Sequence, residues 1–552
     1  MLRLIYTLIC VSLTFSLTGC LFAAEKGGSP LFEQAQKEQK EGNYKNAFEI
    51  YQKLLLDKTT DQQTLTQSLR NVPTCLYNLD RIAEIDALLE EAIELHAQNW
   101  RFLQEAAEQY ESAQHHGYII GDELTRGHSR GAATYVNLEE RDRVRALQLL
   151  VQAMGVMQQD AEATAEEKGE FYFNLAGAVY MGRSHYDSWK LQALTDLSEL
   201  PEAEEGNPRF GGYRRMGGSN FQGAPVDNAG NPIVFSVPES WEKAASDGER
   251  WRWAFAQAAE STKAHKMRVK LALGDWGQTL FGVQTLQDHP FFYKQLNAAS
   301  EKDPNELDST TAPFSVHTLS EEETLAKLAN GIKRFSLPED FSYIKLFLEV
   351  AQEDDGSYAE QALGRLENIF KNRRQYVRAA EILRENIKRF GPGNNDYKQK
   401  NLEQIVGNWG EVQAENETQL PSQGGKFNYR FRNGKSVHFE ATEINLDQLL
   451  KDCVAHLKSH PDQLDPLKTQ FENIGQQLIE GNQQKYLGKK VAEWDVELEP
   501  LEGHYDKLKT ITAPLNQAGV YFITAKMQEG NETRIVLWMN DTIIASKTGR
   551  WL

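Results

Sequence analysis

Apolar residues recur three and four apart along much of residues 30–200 and again along 239–415, the spacing that lays one apolar stripe along a helix. NLDRIAEIDALLEEAIELHAQN (Asn78 to Asn99) keeps such a face in Ile82, Ile85, Leu88, Leu89, Ala92 and Ile93. In NRRQYVRAAEILRENIKRFGPG (Asn372 to Gly393), Gly391 supplies a helix C-cap and Pro392 stops the helix. Ser320 with Glu323 has the spacing of a capping box and predicts the start of another helix. Ala203 to Pro238 breaks the periodicity, because its Gly, Pro and Asn content cannot sustain a helix. That stretch predicts a surface loop, with VDNAGNPIVF as a small hairpin or flap. The next segment is helical again, and its Trp241, Trp251 and Trp253 are expected to fill a core. From about residue 420 the period changes to two. In KFNYRFRNGKSVHFEATEI, Phe427, Tyr429 and Phe431 alternate on one side of Asn433-Gly434, and Val437, Phe439 and Ala441 on the other. Asn-Gly between alternating runs predicts a hairpin turn at Asn433 and Gly434. A helix then leads into further alternating runs with a turn every few residues, the texture of a β-sandwich.

Two helical stretches are similar to tetratricopeptide repeats. In EGNYKNAFEIYQKLLLD (Glu41 to Asp57), Gly42, Tyr44, Ala47, Tyr51 and Leu54 stand where that repeat keeps its turn glycine, its aromatic, and its small and large knobs. Ala35 then takes the small-residue crossing point of the preceding helix. Tyr376, Ala379 and Leu383 repeat the pattern far downstream. The physical content is simple: a small residue lets two helices approach, and large ones fill the groove beside it. The expected fold is therefore multidomain α + β, with a tetratricopeptide-like helical solenoid followed by an antiparallel β-sandwich. Its expected divisions are a signal segment at 1–24, helical repeats at 25–202, a Gly/Pro-rich insert at 203–238, helices again at 239–415, and the sandwich with inserted helices at 420–552.

Composition narrows the function classes. The 552 residues are 40% hydrophobic and 25% charged, ordinary globular material. A formal charge of −19 and the lack of a basic stripe argue against a nucleic-acid partner. At the N-terminus, Arg3 precedes an apolar run, Leu4 to Leu17, too short to span a bilayer. Leu17-Thr18-Gly19-Cys20 then resembles a bacterial lipobox, which makes Cys20 the expected lipid-attachment residue. A plain cleaved signal is the alternative, although a cut after Ala24 would put the bulky Phe22 where a small residue is wanted. Leu21 after the cysteine, rather than Asp, favours the outer membrane. The expectation is an envelope protein on the periplasmic side, held to the membrane by its N-terminal lipid. Cys75 and Cys453 remain, too few for a disulfide framework or a zinc site.

No catalytic motif stands out: the chain has no H-E-x-x-H, G-x-S-x-G, Walker or Rossmann signature. His115-His116 and His128 read as loop residues rather than as a metal site. Nothing singles out two of the 79 carboxylates as a catalytic pair. No enzyme activity, cofactor or metal is expected.

Several long phrases carry a family resemblance: HGYIIGDELTRGHSRG, ERDRVRALQLLVQAM, VPESWEKAASDGERWRWAFAQA, AAEILRENIKRFGPGNND, YRFRNGKSV (Tyr429 to Val437) and AEWDVELEPLEGHYDK. From about residue 30 to the end, the chain resembles the N-terminal region of large bacterial alpha-2-macroglobulin-like proteins of the planctomycete type. The resemblance implies a helical, repeat-bearing part followed by macroglobulin β-sandwich domains. In that family a bait region and, in many members, a Cys-x-Glu-Gln thioester come further on. This chain departs there: Cys75 is followed by Leu-Tyr, Cys453 by Val-Ala, and no bait segment is recognisable.

The expectation is thus a non-enzymatic N-terminal part of an alpha-2-macroglobulin-like protease inhibitor, acting as a scaffold for proteins, including proteases through a larger assembly. A stand-alone tetratricopeptide-like lipoprotein that scaffolds envelope complexes is the alternative. Apolar Trp551-Leu552 after the run Thr542 to Ala545 suggest that the chain's end is an edge, with further sandwich domains beyond it.

Overall fold

A computed structural model describes residues 29–121, 123–128, 133–183, 187–205, 223–282, 316–413, 424–459 and 483–541. Cys20, the centre of the Gly/Pro-rich insert and the run from Thr542 lie outside these residues. The fold is a mixture of helices and antiparallel sheets, as the change of period predicts. It forms two compact units, Met1–Thr164 with Thr195–Gly211 and Ala165–Leu194 with Gly212–Leu552. Among the described residues no helix is long and apolar enough to cross a membrane.

The first unit begins with α1 (Pro30–Lys40) and α2 (Tyr44–Leu55). Gly42 turns the chain between them at φ +82°, a left-handed value that suits glycine. Ala35 and Ala47 are fully buried, and Tyr51, also buried, donates its hydroxyl to Gln39 Oε1 at 2.8 Å. Three more helices follow: α3 (Gln62–Asn78), α4 (Ile85–Leu95) and α5 (Trp100–Ser112). Asp61 and Asn99 cap α3 and α5 by accepting from the Thr64 and Phe102 amides. In α4 the buried side chains are Ile85, Leu88, Leu89, Ala92 and Ile93, the predicted stripe, with Ile82 half-buried just before it.

The chain is not helical throughout this region. β1 (His116–Ile120), β2 (Glu123–Arg126) and β3 (Thr134–Asn137) form a small antiparallel sheet, with β4 (Glu204–Glu205) on the far edge of β3. The β-branched and aromatic run Tyr118-Ile119-Ile120 suits a strand, and the runs between its turns are too short for helices. Helix α6 (Glu139–Met157) closes the unit.

The second unit starts with α7 (Ala165–Tyr180), α8 (Asp247–Ser261) and α9 (Lys263–Phe281). Trp241, Trp251 and Trp253 are buried, and the Trp251 ring packs on Trp276 of α9 at 5.2 Å between centroids. They fill a core, as expected. Within the insert, Val226 and Pro232 bridge antiparallel across a tight turn, and Ala224 bridges Leu328.

Ser320 and Glu323 do not open a helix. Glu323 does accept the Ser320 amide at 3.0 Å, half of a capping box, yet β5 (Glu323–Leu328) pairs with β6 (Gly331–Ser336) as a hairpin. Ala329-Asn330 closes that hairpin, and Arg334 on the returning strand grips the same Glu323 carboxylate at 3.0 and 2.6 Å. The turn and the ladder outweigh the local capping signal. Helices α10 (Tyr343–Glu353), α11 (Ser357–Asn372), α12 (Tyr376–Phe390) and α13 (Tyr397–Val406) come next. Gly391 caps α12 at φ +80°, as predicted, and Ala379 and Leu383 are fully buried in it.

The remaining strands are β7 (Trp409–Gln413), β8 (Gly425–Arg432), β9 (Ser436–Ile444), β10 (Leu487–Glu497), β11 (Lys507–Ala513), β12 (Gly519–Met527) and β13 (Glu532–Met539), with helix α14 (Leu446–Ser459) after β9. One sheet runs β10-β9-β12-β13 and the other β11-β8-β7. Phe427, Tyr429 and Phe431 of β8 share one core with Val437, Phe439 and Ala441 of β9. The Phe439 ring meets Phe427 and Tyr429 edge-on, each at 5.5 Å.

Asn433-Gly434 is therefore not a hairpin turn. The strands on either side of it do not pair; they belong to opposite sheets and face each other across the core. A two-residue hairpin of the predicted kind needs positive φ at both central residues, and here only Asn433 is left-handed, at +61°. Gly434 answers to space instead, since a Cβ there would lie 2.1 Å from Met527 Sδ. Alternation correctly orients both strands inward. It does not say whether two inward faces lie side by side or opposite one another.

Candidate functional site

In the first unit a cleft of about 280 Å³ lies between α3, α4 and α5. Pro73, Ile82, Ile85 and Leu89 give it apolar walls, and Tyr77, 64% exposed, stands at its mouth. Proline inside α3 removes one backbone donor on this side of the helix.

One buried guanidinium organises the polar end. Arg126, at the end of β2, donates from Nη1 and Nη2 to both oxygens of Asp142 at 2.8 and 2.7 Å. Its Nε donates to Asp86 at 3.0 Å, and Nη1 also reaches the Gln114 carbonyl at 2.9 Å. Asp142 is nearly inaccessible, so this fork is its main neutralising partner. Burial pushes the Asp86 carboxyl up, against the pull of Arg126. Burial also opposes the charge on Arg126, but its hydrogen bonds and the two carboxylates outweigh this and hold it above its ordinary value.

His115 completes the cluster. Its Nδ1 lies 2.8 Å from Asp142 Oδ2, and its Nε2 lies 3.1 Å from the Glu111 carbonyl oxygen. Glu111, four residues before His115, meets it only through its backbone carbonyl, and the acidic partner, Asp142, comes from α6. His116 stacks on Tyr135, with ring centroids 6.1 Å apart, and neighbours His128 at 5.3 Å. These contacts make the histidines structural members of the sheet. Arg126, Asp86 and Asp142 were not legible as a set, because they meet only once three short strands have folded.

Asp86 and Asp142 are both engaged by Arg126, while the walls offer apolar surface and Gln114 Oε1 is a buried acceptor with no partner. Elsewhere in this unit, Cys75 is buried in α3, and burial raises its thiol to about 11, away from reactive thiolate.

The residues predicted to set the repeat packing fall into two groups. Ala35, Gly42, Tyr44, Ala47 and Tyr51 lie in and between α1 and α2 of the first unit, and Tyr376, Ala379 and Leu383 lie on α12 of the second. Asn433 and Gly434 form the corner between the sheets. Cys20 lies outside the described residues. Among the described residues, the set with the donor types and spacing to hold a metal is His438, Glu440 and Glu493, on the outer face of the sandwich. Searched against known protein families the chain matches none, and no curated protein matches it.

Proposed function

We propose that the chain is a non-enzymatic envelope protein, the N-terminal part of an alpha-2-macroglobulin-like protease inhibitor, held to the membrane through a lipid on Cys20. Its helices act as a tetratricopeptide-like scaffold and its sandwich as a macroglobulin-like module. The observation that carries this reading is the succession in the second unit: consecutive helices that bury alanines, then seven strands closing around one aromatic core. That is the order the resemblance implies. Trapping a protease would require a bait, which this reading places beyond these residues.

The test is protection. The native gene product, with whatever its reading frame encodes past Leu552, is mixed with a broad-specificity protease. The protease should keep its activity on a short peptide and lose it on a large protein substrate. The 552 residues alone should give no such protection. Protection by the 552 residues alone, or none by the native product, would overturn the inhibitor reading.

The Tyr77 cleft favours a second reading, a stand-alone scaffold that binds envelope proteins. Under it, a photo-crosslinker at Tyr77 should yield one dominant protein adduct in intact cells, and Ile85→Glu should remove that adduct.

A further inference from the structure

The outer face of the β9–β10 pair carries a donor set that the core does not need. Strand alternation puts His438 and Glu440 on one face of β9. The antiparallel register sets Asp495 opposite His438 and Glu493 opposite Glu440, so four side chains occupy the corners of one patch. Directly paired carboxylates such as Glu440 and Glu493 repel unless a cation stands beside them.

The imidazole has a defined role in this patch. His438 Nδ1 donates to Asp495 Oδ1 at 2.9 Å, which turns Nε2 towards the two glutamates. Nε2 lies 3.3 Å from Glu493 Oε1 and 3.6 Å from Glu440 Oε1, and the three donor atoms fall within 4.8 Å of one another. A tetrahedral ion with bonds of about 2.0–2.2 Å holds its ligands roughly 3.3–3.6 Å apart. The two Nε2 separations already match that edge. A carboxylate behind a ligating histidine is also the usual outer partner of such a site, fixing tautomer and orientation.

Other charges face the patch. Lys490 Nζ is 2.5 Å from Glu493 Oε2 and 3.7 Å from Glu440 Oε1, and its side chain is half exposed, so it can swing out. On the other flank β12 places Lys526 opposite His438 and the neutral Thr524 opposite Glu440.

We propose that His438 Nε2, Glu440 and Glu493 bind a divalent transition-metal cation of the zinc class, with Asp495 orienting the histidine and Lys490 displaced. Three protein ligands leave the fourth position open on the outer face, free for water or for a donor from another molecule. The site is independent of the inhibitor reading.

The test uses the full chain, freed of metal with a chelator and titrated with Zn²⁺ by calorimetry, and with Co²⁺ by visible absorption. One ion should bind per chain, and Co²⁺ should give the intense bands of four-coordination. His438→Gln should abolish both signals. Asp495→Asn should weaken binding by about ten- to a hundredfold, the usual effect of losing an outer-shell carboxylate. Lys490→Met should bind more tightly, because its ammonium competes with the ion. All three positions are solvent-facing, so the thermal midpoints in chelator should match the parent and separate lost binding from lost folding. Unchanged Zn²⁺ affinity in His438→Gln, weaker binding in Lys490→Met, or no binding by the parent would overturn the proposal.

Discussion

Asn433 Nδ2 donates to the Ile405 carbonyl at 3.0 Å, and the same amide reaches the Gly407 carbonyl at 2.9 Å. Carbonyls in the last turn of a helix have no partner within it. The corner between the two sheets therefore caps α13, and His504 Nδ1 steadies the cap by bonding Asn433 Oδ1 at 2.8 Å.

Asn433→Ala should lose both bonds and force an alanine into the left-handed region. The expected cost is about 1–3 kcal/mol for the stranded carbonyls and roughly 1–2 kcal/mol more for the backbone. Asn433→Gly tolerates the backbone and should fall between the parent and the alanine variant. Urea unfolding of the full chain measures this, and an Asn433→Gly midpoint equal to the parent's would show that water satisfies the carbonyls equally well.

Arg126 is the pivot of the first unit. Arg126→Met strands Asp142 as a buried charge, and breaking a buried pair from one side typically costs about 3–5 kcal/mol. Arg126→Lys keeps the charge but not the fork, so it should recover only part of the loss. Thermal unfolding followed by circular dichroism should rank parent, Lys and Met in that order. Lys equal to the parent would mean that charge alone, without the two-pronged geometry, holds Asp142.

Two pH windows follow from the second unit. Hydrogen bonds from Arg334, then from the Ser320 amide, lower the Glu323 carboxyl to about 2. Its contribution is present above the ordinary carboxylate range, near 4.3, and is lost as pH falls towards 2. Glu323→Gln should flatten the stability profile in that window. Burial, with the charges of Arg384 and Arg432, holds His504 below its ordinary value. Its neutral form is favoured in the fold, so stability should fall as pH drops below roughly 6.5. His504→Gln should remove that slope, and a slope unchanged by the substitution would place its origin elsewhere.

The elements legible in the sequence are those whose burial is set by local period. The stripe of α4, Gly391 at the end of α12, and the inward Phe427, Tyr429, Phe431, Val437, Phe439 and Ala441 all lie where spacing puts them. What escaped depends on partners distant in the chain. Asn433-Gly434 has hairpin composition, but the neighbours of β8 are β7 and β11. Glu323 has capping spacing, but Arg334 and the Ala329-Asn330 turn claim it for a strand. His115 uses only the backbone carbonyl of nearby Glu111 and finds its carboxylate, Asp142, through folding. His438 and Glu440 alternate on a predicted strand, which left half of their patch visible; the register of β10 supplies the other half.

The sheet order also sets a schedule for synthesis. When β8 and β9 leave the ribosome, β8 can pair only with β7, and β9 must wait for β10 and β12. Their aromatic faces can meet each other, but both edges of β9 and the remainder of the shared core stay open until the last third of the sandwich has been made. The helices before them need only sequence neighbours and can pack as they emerge. Non-local strand pairing of this kind forms slowly and exposes sticky edges meanwhile. A nascent chain halted between β9 and β10 would thus be the species most in need of a chaperone, and α13 would remain uncapped until the strand pair beyond it had turned its corner.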